Sequence, residues 1–174
     1  LLKSRRFGYD GKNQLKCNSK LDLLEKLLSE CSCIIEEIVD FSTEVSLVCV
    51  RQEDNNIVFY PLIENFHKDG ILRYSKFPYI NKELQNTAEK YGEELLNYFK
   101  YVGVLVVEFF VSKDGKLVAN EMAPRVHNSG HWSIEGSSTS QFELHVRAIT
   151  GDLDKKTINF KSSLMFNILS KYPD

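Results

Sequence analysis

The 174 residues carry 22 Lys and Arg against 24 Asp and Glu, a formal net charge of −2, with 43% hydrophobic residues. That balance lacks the basic excess of a polyanion-binding surface, so no nucleic-acid partner is expected, and no apolar run reaches the length of a membrane span. The length allows one substantial core or two small ones.

The chain opens on Leu1-Leu2-Lys3-Ser4-Arg5-Arg6, without an initiating Met or the apolar core of a signal peptide, and is expected to be a piece of something longer. Cys17, Cys31, Cys33 and Cys49 show neither CxxC spacing nor histidines placed to complete a zinc site. Reduced thiols in a cytoplasmic protein are expected.

Leu1 to Ser4 reads as the end of a strand and Gln14 to Cys17 as its return. Between them, Arg5 to Asn13 holds Gly8, Gly11 and three cations. Such a loop can wrap its amides around phosphate oxygens while Lys12 adds charge. It is not a Walker loop, and by itself it fits a solvated basic hairpin better. Ser19 to Glu30 places Leu21, Leu24, Leu27 and Leu28 at helical spacing, with Ser19 as N-cap and Asp22 at the third helical position. These leucines are core residues of a helix packed on a sheet.

Cys33 to Val39 reads as a short strand and Glu44 to Arg51 as another. Glu36 and Glu37 at the end of the first fit either a crevice opening there or one exposed and one lysine-paired carboxylate. A turn at Asn55-Asn56 leads into a β-rich run from Ile57 to Phe66, and Ile71 to Phe77 continues beyond Gly70. His67, beside Lys68 and that glycine, is either a ligand contact or an ordinary loop histidine. Asn81 to Tyr101 is the longest helical candidate, with Leu84, Ala88, Tyr91, Leu95 and Tyr98 or Phe99 near a 3.6 period.

Val104 to Ser112 and Leu117 to Met122 then read as strands joined by Lys113-Asp114-Gly115-Lys116, where Asp-Gly predicts a type I′ turn. Pairing Lys113 with Lys116 sets Val111 against Val118, Phe109 against Asn120 and Glu108 against Glu121. The two carboxylates then share one face with Cβ atoms roughly 5 Å apart, an unfavourable pairing of like charges. A shared Mg²⁺ or Mn²⁺ bridging to phosphate oxygens would explain it; a solvated hairpin is the plain alternative. Val104, Val106 and Phe110 share that face with Glu108, which argues against its being merely wet. Strict alternation turns Asn120 away, so either a bulge reorients it or its role is indirect.

Ala123 to His131 packs Pro124, Arg125, His127, Asn128, Ser129 and His131 into nine residues. Pro124 restrains the exit from the strand, and the polar side chains can converge beside the carboxylate pair. A helix follows from Ser140 to Thr150, ended by Gly151; His145 and Arg147 on it are either ligands or, the plainer expectation, helix-surface residues. Beyond it the chain turns polar, then gives two short β-like runs, Thr157 to Phe160 and Ser163 to Leu169. The whole predicts an α+β fold with a largely antiparallel sheet, one domain over 1–151 and the beginning of a C-terminal β-rich domain over 152–174.

The stretches KSRRFGYDGKNQ (Lys3 to Gln14), IIEEIV (Ile34 to Val39), FYPLIENFHKDGI (Phe59 to Ile71), VVEFFV and NEMAPRVHNSGHWS together resemble the ATP-grasp family, and within it the ATP-dependent carboxylases of purine synthesis. The resemblance covers nearly the whole chain and implies an incomplete ATP-grasp fold. It implies that Lys3 and the loop Gly8, Tyr9, Asp10, Gly11, Lys12, Asn13 and Gln14 close over the ATP phosphates. Glu36, Glu37, Ile38 and Val39 would form a hinge reading adenine, Glu44 would hold the ribose hydroxyls, and His67 and Asn120 would add nucleotide contacts. Glu108 and Glu121 match the family's metal-binding glutamates, for Mg²⁺ or Mn²⁺. Glu121 would also count among the nucleotide-site residues. Arg125 and His127 match catalytic residues near bicarbonate or its carboxyphosphate intermediate.

The implied reaction is ATP-dependent carboxylation of 5-aminoimidazole ribonucleotide with bicarbonate, in a full-length protein expected to be a homodimer. A formate-dependent transformylase of the same pathway and a non-catalytic nucleotide-binding module are the competing expectations. Asn13 stands where family members commonly carry glycine, a substitution the loop tolerates because Asn accepts positive φ. Parts of the family's architecture lie outside this chain, so the piece alone is expected not to turn over.

Overall fold

The computed structural model describes residues 1–6, 14–20, 22, 32–153 and 158–168, and all counts refer to these. They fall into two units, one of Leu1–Asp40 with His67–Ile71 and one of Phe41–Phe66 with Leu72–Asp174.

In the first unit, β1 (Leu2–Ser4) is the middle strand of a three-stranded antiparallel sheet, flanked by β2 (Gln14–Leu15) and β3 (Cys33–Ile35). β3 runs to Ile35 and its pairing carries on one residue further, Glu36 exchanging both backbone bonds with Leu1 at 2.9 Å, so Glu37 to Val39 of the expected strand lie beyond the ladder. Ser19 caps as anticipated: its hydroxyl accepts the Asp22 N–H at 3.1 Å while the Asp22 carboxylate accepts the Asn18 N–H at 3.0 Å. The leucines of that predicted helix, like the loop from Gly8 to Asn13, lie outside the described residues.

The second unit is built on β4 (Phe41–Arg51), whose run from Val45 to Arg51 is buried on both faces. Its antiparallel neighbours are β8 (Gly103–Ser112) on one side and, on the other, β5 (Ile57–Phe59) and β6 (Ile63–Lys68). The expected single strand from Ile57 to Phe66 is thus two. Pro61 has no N–H to give a ladder, and the β4 register shifts by one residue across the break. β7 (Ile71–Phe77) follows β6 through Asp69 and Gly70, both at positive φ (56° and 73°). That is the requirement of a type I′ turn. β9 (Leu117–Ala123) pairs with β8, and β10 (Ser163–Phe166) pairs with β7.

Period-2 alternation sends Val45, Leu47, Cys49, Leu105, Val107 and Phe109 to one face, where α1 (Lys82–Phe99) covers them with Leu84, Ala88 and Leu96. The buried stripe of α1 is Leu84, Ala88, Gly92 and Leu96, rotated from the expected one; Tyr98 is 81% exposed. Gly92 explains the rotation, since a Cβ there would lie 2.9 Å from Leu47 Cδ2, so the helix approaches the sheet closest at that point. Asn81 caps α1 by accepting the Leu84 N–H.

The opposite face buries Val48, Val50, Ile63, Phe77, Val104 and Val106 with Trp132, and with Leu144 and Ala148 of α3 (Gln141–Thr150). A short α2 (Ser133–Gly136) precedes α3, which Ser140 caps and Gly151 ends. His145 is no free surface group, because its Nδ1 accepts the Val104 N–H at 3.0 Å. Residues 158–168, expected to open a further domain, pack here through Phe160 against Tyr60, Phe77 and Trp132 and through β10. No helix among the described residues is long and apolar enough to cross a membrane.

Candidate functional site

In the smaller unit, Lys3 lies mid-sheet between Gln14 and Ile34, and its ammonium is 2.6 Å from the Glu36 carboxylate. Two of the expected nucleotide residues are therefore in direct contact. Glu37 and Ile38 are exposed, Val39 half-buried, and His67 half-buried within the same unit. Gly8, Tyr9, Asp10, Gly11, Lys12 and Asn13 lie outside the described residues.

The larger unit holds the acidic pair. Glu108 is opposite Glu121 across the β8–β9 ladder, the pairing expected from the sequence. Glu108 is 8% exposed, whereas Glu121 is open to solvent. The expected turn is corrected: Ser112 N–H donates to Lys116 O, and only Gly115 (φ 80°) has positive φ, so the loop has three residues, Lys113-Asp114-Gly115. The tip consequently pairs Val111 with Leu117 and Phe109 with Ala119, one residue off the expected register. A bulge between Glu108 and Phe109 absorbs the offset, and Asn120 is its extra residue.

Counted from Ala119, alternation turns Asn120 to the Glu108 side, and the bulge lets Glu121 occupy that side as well. Two carboxylates and a carboxamide are gathered on one strip of the hairpin. This is an oxygen donor set suited to a hard divalent cation. Among the described residues no three His, Cys, Asp or Glu side chains cluster into a closed metal cage. A pair of carboxylates that leaves the remaining positions to water and phosphate oxygens is how Mg²⁺ is commonly held, so the residues fit the ion.

His127 Nδ1 lies 3.7 Å from Glu108 Oε1 and 3.0 Å from the Ser129 hydroxyl. The loop from Ala123 to His131 closes into a single 3₁₀ turn, Asn128–Gly130, so the imidazole is brought beside the carboxylate. Arg125 remains exposed with its guanidinium on the Val126 carbonyl. Glu44, on β4, sits opposite Asn65 and Phe110 in the ladder and is half-buried.

Two sets of polar groups escaped the sequence reading. On β4, Ser46 faces Glu108 in the ladder; its hydroxyl accepts from Asn65 Nδ2 at 2.9 Å, and Ser75 donates to Asn65 Oδ1 at 2.8 Å, all three buried. The signal was a serine inside an apolar run. The other set centres on Gln141, fully buried behind the His127 loop. Burial pushes the His131 imidazole below its ordinary range.

A family model described as an ATP-grasp domain matches residues 1–142. The chain belongs to the ATP-grasp family. Among its relatives is the N5-carboxyaminoimidazole ribonucleotide synthase of Escherichia coli K12, 46% identical over 173 residues, which are 97% of this chain and 48% of that protein. The N5-carboxyaminoimidazole synthetase of Staphylococcus aureus, solved in complex with ADP, superposes with a TM-score of 0.88 at 37% identity, covering 97% of this chain and 46% of that one. The Aspergillus clavatus N5-carboxyaminoimidazole synthase, solved with ADP and 5-aminoimidazole ribonucleotide, gives a TM-score of 0.86 at 28% identity, over 98% and 46%. This ATP-grasp chain spans about half the length of the relatives it matches. The largely antiparallel ATP-grasp fold expected from the motifs is the one present.

Proposed function

We propose that the complete protein is an ATP-dependent ligase that carboxylates 5-aminoimidazole ribonucleotide with bicarbonate, through carboxyphosphate, in purine biosynthesis. The observation that carries the reading is the Glu108–Glu121 pair with His127 at 3.7 Å, in a chain 46% identical to a carboxyaminoimidazole ribonucleotide synthase.

In this reading Lys3 and the segment from Gly8 to Gln14 take the ATP phosphates, Glu36 to Val39 the adenine, and Glu44 the ribose hydroxyls. His67 and Asn120 add nucleotide contacts, and Glu121 serves nucleotide and metal together. Glu108 and Glu121 hold Mg²⁺ or Mn²⁺, which when bound neutralises charge on the transferring phosphoryl group. Arg125 presents a permanently cationic fork that matches a carboxylate or phosphate geometrically, and its exposure leaves it accessible to bicarbonate. His127, 3.7 Å from Glu108, would donate to a bicarbonate oxygen in this reading. Carboxyphosphate reacts readily with water, so the segment from Gly8 to Gln14 must exclude it.

The reading makes the protein cytoplasmic and a homodimer, with residues 152–174 leading into a C-terminal domain of the complete chain. It is tested by supplying the full-length protein with ATP, 5-aminoimidazole ribonucleotide and either bicarbonate or formate with the matching formate acceptor. ADP release that follows bicarbonate supports it. Formate-dependent turnover without bicarbonate turnover rejects it for a transformylase, and Mg·ADP binding without any turnover rejects it for a binding module.

A further inference from the structure

Gln141 opens α3 with no exposed surface. Its Oε1 accepts the His127 N–H at 3.0 Å, and its Nε2 donates to the His127 carbonyl at 2.7 Å and to His131 Nδ1 at 2.9 Å. The carboxamide thus holds both polar groups of one residue's backbone, as a neighbouring strand would, and its second N–H reaches a further side chain. A buried amide is unfavourable unless every such bond is made, and an apolar side chain of similar volume would pack α3 on the sheet without that demand.

The surroundings are shaped to the same end. A Cβ on Gly130 would fall 2.4 Å from Gln141 Oε1, so the loop passes the carboxamide only because residue 130 has no side chain. Ser133 ties the two together, donating to the Gly130 carbonyl at 2.5 Å and accepting the Gln141 N–H at 3.0 Å. With the His127 backbone fixed, its ring is left to meet Ser129 and Glu108.

We propose that Gln141 is a positioning residue, a clamp that sets where the His127 imidazole stands relative to Glu108. The proposal rests on the carboxylase reading for its kinetic readout only. In the full-length protein, Gln141→Leu removes all three bonds, Gln141→Glu keeps the acceptor and loses both donors, and Gly130→Ala pushes the carboxamide away without altering it. Each is expected to lower kcat for bicarbonate-dependent ATP cleavage by about 100-fold, the scale of a 1 Å misplacement, while KM for ATP stays within about twofold. A purely structural role would reduce the folded fraction and leave kcat per folded molecule unchanged.

Two readouts do not depend on turnover. Because Gln141 donates to His131 Nδ1, that nitrogen is a hydrogen-bonded acceptor in the wild type, and nitrogen NMR should find its resonance shifted when Gln141→Leu removes the bond. Hydrogen exchange should find the His127 amide protected in the wild type and unprotected in the variant. Unchanged kcat in folded Gln141→Leu and Gly130→Ala overturns the proposal, as does a His127 amide that stays protected. Should Gln141→Leu fail to fold, Gly130→Ala decides by the same readouts. If the wild type cleaves no ATP with bicarbonate, the carboxylase reading falls, and the two turnover-independent readouts decide the clamp.

Discussion

The Lys3 ammonium lies 2.6 Å from the Glu36 carboxylate, so a cation assigned to ATP phosphates is already held by a residue assigned to the adenine side. The Lys3 side chain is only 16% exposed, which gives this pair more weight than an open surface bridge. Lys3→Met in the full-length protein is expected to weaken Mg·ATP binding by on the order of 10-fold, the range of one charge-assisted hydrogen bond. Calorimetry with Mg·ADP and with adenosine separates the effects: the first should weaken and the second should not.

Glu121→Gln should act with opposite signs on stability and on catalysis. In metal-free buffer it removes a like-charge pair across the ladder and is expected to raise stability by roughly 0.5 kcal/mol. In the presence of Mg²⁺ it removes an oxygen ligand and is expected to lower Mg²⁺-dependent ATP cleavage by about 100-fold or more. Denaturant melts with and without Mg²⁺, beside an ADP-release assay, check both; unchanged ATP cleavage would remove Glu121 from the metal assignment.

Deleting Asn120 would straighten the β8–β9 ladder, because Phe109 with Ala119 and Glu108 with Glu121 are both in register once the extra residue is gone. The deletion is expected to fold with its melting temperature preserved and to lose ATP-dependent turnover, since it removes the carboxamide together with the bulge that shapes the strip beside the acidic pair. Asn120→Ala, which keeps the bulge, should lose less. Far-UV circular dichroism, thermal melts and turnover rank the two.

Stability should fall on both sides of neutrality. Burial lowers the His131 pKa from its ordinary 6.5, so the folded ring resists a proton that the unfolded chain accepts. Stability from the neutral ring is present above pH 6.5 and lost as pH falls through the folded value. At the alkaline end, burial pushes the Cys49 thiol from 9.0 up to about 12 and raises the Tyr60 phenol, so the unfolded chain ionises first. Stability is full below pH 9 and declines as pH climbs toward 12. Urea midpoints between pH 5 and 11 should trace this dome, and His131→Asn should flatten its acid limb.

What could be read from residues alone depended on whether the deciding partner was near in sequence. Among the described residues Asp-Gly occurs twice with opposite outcomes: Asp69-Gly70 takes positive φ at both residues, while Asp114 does not and Gly115 does. The dipeptide permits either turn, and the pairing of the strands behind it chooses. The opposition of Glu108 and Glu121 was reached by counting from a turn that is one residue off, and it holds only because the bulge at Asn120 cancels that offset. Neither the offset nor the bulge was legible, because each hides the other. Pro61 was in plain view and should have divided the run from Ile57 to Phe66. Gln141 reaches fourteen residues back to His127 and Ser46 reaches Asn65 across a ladder, contacts that no local periodicity encodes.

The bulge at Asn120 has a bearing on solubility as well as on chemistry. Among the described residues β9 is an outer strand of the seven-stranded sheet, and a regular outer strand offers unpaired backbone groups to any passing strand of another molecule. An inserted residue breaks the even spacing that such an addition needs, and the adjacent carboxylate of Glu121 repels an incoming acidic copy of the same edge. The irregularity that gathers oxygen donors thereby also guards the sheet against self-association, so straightening it would leave a chain that is sound in isolation and less well behaved at high concentration.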